Sequence, residues 1–152
     1  MKKLAILLLL SFILTGCGSQ EDASMTKFKK EMNEFCDNIL EIDAAINQIT
    51  NITTDEAGLK SATEELMLNL DILKDEFVKF SNIDFPEEYD YLEEVADEAS
   101  EYMTEAVNSY HIVYEDNYTV SMEEYAQENY SRAYKRVQII LDVLHGEETE
   151  SN

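Results

Sequence analysis

Few side chains in this 152-residue sequence have the types and spacing that chemistry demands. There are two cysteines, Cys17 and Cys36, and two histidines, His111 and His145. Cys17 stands directly behind a hydrophobic run in "SFILTGCGSQ", and Cys36 sits beside Phe35 in a stretch with helical periodicity. The two thiols form no Cys-x-x-Cys pair, so neither a redox couple nor a thiolate metal site is expected. The chain has no Gly-rich phosphate loop and no Gly-x-Ser-x-Gly elbow. A carboxylate-bridged metal centre in a helical bundle needs inward Glu residues with Glu-x-x-His on two helices. No Glu-x-x-His occurs; the nearest pattern is Asp142-x-x-His145, and His111 has no acidic residue three or four positions before it. Both histidines read as surface imidazoles. Neither a catalytic centre, a metal nor a cofactor is expected.

Two features remain that suit binding. Glu94, Glu98, Glu101 and Glu105 recur at i, i+4, i+7 and i+11, which places four like charges on one helix face. Such a face is either simply solvated, a weak divalent-cation site, or a docking face for a basic partner. No calcium-loop spacing accompanies it. On the next predicted helix, Arg132, Lys135 and Arg136 are the available counter-charges. The second feature is aromatic: all nine tyrosines lie between Tyr89 and Tyr134. Tyr114, Tyr118, Tyr125 and Tyr134 fall off the apolar seams described below, and together they are a candidate partner surface, since tyrosine combines apolar area with a polar tip. Tyr89, Tyr110 and Tyr130 fit seam slots instead, with hydroxyls reaching solvent at the core edge.

The N-terminus decides where such a surface is displayed. Lys2 and Lys3 precede "LAILLLLSFIL", an apolar segment shorter than the roughly 20 residues a bilayer span requires. This is the layout of a secretory signal peptide. Its end, Leu14-Thr15-Gly16-Cys17, resembles the lipobox of bacterial lipoproteins. That resemblance implies cleavage before Cys17, conversion of the Cys17 thiol to a diacylglycerol thioether, and acylation that anchors the mature chain to the cell membrane on its extracytoplasmic face. Two acyl chains hold a protein stably where one gives marginal binding. Residues 1–16 are then the signal peptide and 17–24 a short tether. With Cys17 lipidated, Cys36 has no intrachain disulfide partner, and it reads as a small side chain at the core edge.

The sequence carries 11 basic and 33 acidic residues, a net charge of −22. Without Lys2 and Lys3 the mature chain has nine basic residues against 33 acidic, a net −24. Nucleic acid is excluded as a partner, because there is no basic footprint for phosphates. Lys27, Lys29 and Lys30 are a local exception close to the anchor, where anionic headgroups lie. The 45% hydrophobic content is too high for a disordered tail and is enough for one core.

Four segments carry helical seams. The first is Phe28, Met32, Phe35, Ile39, Ile42, Ile46 and Ile49, spaced alternately four and three. The second is Leu59, Leu66, Leu70, Leu73, Phe77 and Phe80, opened by a capping box at Thr53 and Glu56 or at Ser61 and Glu64. Pro86 suits the first turn of the third, whose seam is Phe85, Tyr89, Leu92, Ala96, Ala99, Met103, Ala106, Tyr110 and Val113. Ser121 and Glu124 form a candidate capping box for the fourth, with Met122, Ala126, Tyr130, Ala133, Val137, Ile140 and Leu144 as its seam. Gly146 is placed to stop it. The expected fold is an all-α, antiparallel up-down-up-down four-helix bundle over residues 25–146, on a short lipidated tether, with 147–152 as a disordered polar tail. A three-helix arrangement with one projecting arm is the rival.

The chain is similar in these respects to small acidic all-helical lipoproteins of low-GC Gram-positive bacteria. Two function classes follow: a non-enzymatic binding or accessory module for another envelope protein, and an envelope ion-binding or immunity-type protective lipoprotein. An enzyme ranks third.

Overall fold

Apolar residues spaced three and four apart wind into a stripe that only another helix can cover. The computed structural model describes residues 23–50, 56–116 and 119–150, and among them it contains four α-helices and no strand. They are α1 (Ala23–Thr50), α2 (Glu56–Phe80), α3 (Glu93–His111) and α4 (Val120–Glu150). The protein is an all-α four-helix bundle. The expected signal peptide, the lipobox-like residues and most of the expected tether lie outside the described residues, and α1 already includes Ala23 and Ser24.

Aromatic contacts define how α1 meets its neighbours. Phe28 packs on Phe85 and Tyr89, with ring centroids 5.0 and 5.9 Å apart. Phe35 stacks on Phe80 at 4.2 Å and meets Phe77 edge-on at 5.4 Å. Asn38 donates to Glu76 at 2.9 Å. Partner numbers fall as α1 numbers rise, so α1 and α2 run in opposite senses. Likewise Glu98 pairs with Arg136, while Tyr110 lies close enough to Glu123 to feel its charge.

The α3 seam is buried from Phe85 to Ala106, with Tyr110 partly covered and Val113 buried again. Ala96, Ala99 and Ala106 on α3 are fully buried, as are Ala126 and Ala133 on α4. Small side chains allow close approach, and α3 with α4 forms the most extensive helix contact in the bundle. Pro86 precedes a 3₁₀ turn, Glu87–Leu92, that leads into α3. Its fixed φ and missing N–H cost nothing there.

Four expectations need correction. Leu59 is 55% exposed and lies outside the core, because every described side chain from 58 to 66 is at least partly open to solvent. Met67 is buried in its place, as part of a stripe wider than the two-in-seven seam. With α2 starting at Glu56, Ser61 and Glu64 lie inside the helix and cannot cap it; Thr53 lies outside the described residues. At α4 the cap is Thr119, whose Oγ1 accepts the Met122 N–H at 3.3 Å, so Ser121 is already helical. Gly146 does not stop α4, which continues to Glu150 over a run of good helix formers.

Where α3 ends, Ile112–Asp116 widen into a π-helical turn. His111 bridges it to α2: Nδ1 lies 2.8 Å from Glu115 and Nε2 3.2 Å from Asp71. The Glu115 contact raises the imidazole pKa; burial opposes it, and Asp71 adds to the rise.

Candidate functional site

The close approach of α3 and α4 leaves an open cleft of about 560 Å³ along their shared edge. Ser100, Glu101, Tyr102, Thr104 and Glu105 line it from α3, and Tyr125, Asn129 and Arg132 from α4. Its volume lies within the several-hundred-Å³ range of small-ligand sites. Its lining is more polar than most.

Two of the lining side chains are buried polar groups. Asn129 is 3% exposed and Ser100 9%. Asn129 Nδ2 donates to the Tyr125 carbonyl at 3.1 Å. Its Oδ1, like Ser100 Oγ, has no partner among the described residues and lines the cleft. The fully buried side-chain atoms left without a partner among the described residues are Glu31 Oε2 and Asn33 Oδ1, so the Asn129 and Ser100 oxygens reach solvent through the cleft and are free to accept from what enters it.

The charged residues divide into engaged and unengaged. Arg132 and Arg136, the only arginines in the chain, lie 5.6 and 5.5 Å from the centroid of the Tyr102 ring. Arg132 also pairs with Glu128 and Arg136 with Glu98. The Glu98 contact, opposed by some burial, raises the Arg136 pKa and fixes the guanidinium in its charged form. The four-glutamate face is therefore not uniform. Glu98 is neutralised by Arg136, Glu94 is exposed away from the cleft, and Glu101 and Glu105 face the cleft with no cation paired to them among the described residues.

The tyrosine group is likewise divided. Tyr114 and Tyr125 are 44% and 46% exposed, and only Tyr125 lines the cleft. Tyr114 stacks on Tyr110 at 6.2 Å beside the π-helical turn. Tyr118 lies outside the described residues. Tyr134 is 4% exposed and belongs to the core, so it contributes to no surface. Its ring packs edge-on against Phe77 at 5.5 Å and stacks on Tyr130 at 5.0 Å. Both hydroxyls reach inward to Asp43: Tyr134 donates at 2.8 Å and Tyr130 at 2.9 Å. Tyr130 therefore occupies its seam slot but does not send its hydroxyl to solvent. Burial raises the Asp43 pKa, and the two tyrosyl hydrogen bonds offset this only in part.

Ser100, Tyr102 and Asn129 were not legible as site residues. Ser100 and Asn129 are polar residues adjoining the seam positions Ala99 and Tyr130, a signal that a wide buried stripe would have exposed. Cys36 is buried, and desolvation pushes its thiol up to about 11, which suits a packing role. Among the described residues no group of three His, Cys, Asp or Glu side chains is placed to hold a metal, and no helix is long and apolar enough to cross a membrane. Compared with known proteins, the chain matches no family model, and no curated protein or solved structure is similar to it.

Proposed function

We propose that this chain is a lipid-anchored extracytoplasmic protein that works without catalysis, as a binding or accessory module for another envelope protein, and that the α3/α4 cleft is where it binds. The observation that carries the reading is the cleft itself, lined by two largely buried polar residues, Asn129 and Ser100, and flanked by Tyr102 and Tyr125. A concave site lined by aromatic rings with a few polar groups at fixed positions is the usual make-up of a binding cleft. Anchoring at Cys17 rests on the Leu14-Thr15-Gly16-Cys17 sequence. It would hold the bundle at the membrane surface, within reach of membrane-embedded partners.

The test has two arms on the full chain in its host. Metabolic labelling with a fatty-acid analogue should mark the wild type and not Cys17→Ala. Chemical crosslinking in living cells should give a discrete adduct that Tyr125→Ser removes without lowering the melting temperature. Labelling of Cys17→Ala would refute the anchor, and an undiminished adduct from Tyr125→Ser would refute the cleft.

A further inference from the structure

Glu101 and Glu105 stand one helical turn apart, and like charges at that spacing repel. Some carboxylates elsewhere in the bundle have nearby cations: Glu98 has Arg136, Glu128 has Arg132, Asp84 has Lys27, and Asp71 has Lys74 and His111. The cationic side chain that does line the cleft, Arg132, is already engaged by Glu128 and the Tyr102 ring. What is left facing the cleft is a set of acceptors: two carboxylates, Asn129 Oδ1, the Ser100 hydroxyl and the face of Tyr125. Carboxylates beside an exposed aromatic face are the chemistry that holds an organic cation.

We infer that the α3/α4 cleft takes a cationic side chain, the ammonium or guanidinium of a lysine or arginine in a basic segment of the partner protein, held between Glu101, Glu105 and the ring of Tyr125. The inference rests on the binding-module reading above and specifies its ligand. Two observations favour a peptide over a small free amine. The cleft is open and larger than one ammonium group needs. The mature chain's −24 charge draws in an extended basic segment, because a strongly charged surface raises the local concentration of its counter-ions and speeds their association. Arg132 over Tyr102 shows within the protein the arrangement that the incoming side chain reproduces over Tyr125.

The test is calorimetric titration of the full-length lipidated chain in non-ionic detergent, at about 0.15 M salt, where the screening length of roughly 8 Å suppresses diffuse attraction. The probes are a capped trilysine peptide, spermidine at matched charge, magnesium chloride and chitobiose. The trilysine peptide should bind, and Glu101→Gln/Glu105→Gln should weaken it at least tenfold. Tyr125→Ser should weaken it several-fold. Glu87→Gln/Glu88→Gln, which removes the same charge at the exposed 3₁₀ turn, should change it less than twofold. Equal losses from both glutamine pairs would overturn the proposal, since binding would then be diffuse. Spermidine or magnesium binding as tightly as the peptide would overturn the side-chain ligand. Chitobiose binding in place of the peptide would overturn the cation and leave the binding-module reading standing. No binding by any probe, with the Tyr125-dependent adduct intact in cells, would overturn the cation alone.

Discussion

Replacing Asp43 by alanine takes away the acceptor shared by two buried hydroxyls. Tyr134 donates to both carboxylate oxygens at 2.8 Å and Tyr130 donates to one at 2.9 Å. Each buried hydroxyl left unpaired costs about 1–3 kcal/mol. The two tyrosyl oxygens lie 3.4 Å apart and can partly satisfy one another, so the expected loss is about 2–3 kcal/mol rather than the full sum. Asp43→Asn is the informative contrast, since it keeps an amide oxygen as acceptor and removes the buried charge. It should stay within about 1 kcal/mol of wild type. The assay is urea unfolding followed by circular dichroism at pH 7, repeated at lower pH. The sign of the pH effect follows from linkage. Asp43 has a raised pKa when folded, so the native state binds its proton more tightly than the unfolded chain. Its charged form therefore weakens the fold at neutral pH, and wild type should gain on Asp43→Asn as pH falls from the folded pKa towards the ordinary carboxylate value. Equal losses from the alanine and asparagine variants would refute the shared-acceptor argument. So would a wild type that loses ground to Asp43→Asn on acidification.

Three further outcomes are expected. His111 has a raised pKa, so its bridge to Asp71 and Glu115 contributes fully below the ordinary imidazole value and fades as pH rises through the folded one; in thermal melts, His111→Gln should flatten that loss of stability. The net charge, −22 on the full sequence and −24 on the proposed mature chain, should make the melting temperature rise as salt goes from about 0.01 to 0.15 M, because the screening length shrinks from roughly 30 to 8 Å. Gly146 is helical with open space where a Cβ would stand, so Gly146→Ala should stabilise the bundle by up to about 1 kcal/mol, read from urea midpoints.

The helices were legible because burial imposes periodicity, and the nine-residue α3 seam shows this best: a stripe from Phe85 to Val113 has to be covered by something. What the two-in-seven spacing could not give was the width of the stripe. Met67, Tyr134 and Leu141 are buried beside the seams. That width is why Tyr134, assigned to the surface by its register, is a core residue bonded to Asp43 across the bundle. Helix ends were read less well. Thr119 and Ser121 are both plausible caps, and only the backbone geometry chooses between them. The cleft was visible in part, through Tyr125, Glu101 and Glu105. Its floor of Ser100 and Asn129, and the clamping of Tyr102 by both arginines, depend on the α3/α4 register, which no single-helix pattern contains.

Incorporating a photoreactive phenylalanine analogue, which keeps an aromatic ring, at position 125 of the full chain, in living cells, tests the central claim most directly. Position 41, an exposed glutamate on α1 outside the cleft, is the control. The account predicts one discrete envelope-protein adduct from position 125, absent from position 41 and lost when Glu101→Gln/Glu105→Gln is added. Equal adducts from both positions, or none from position 125, would contradict it.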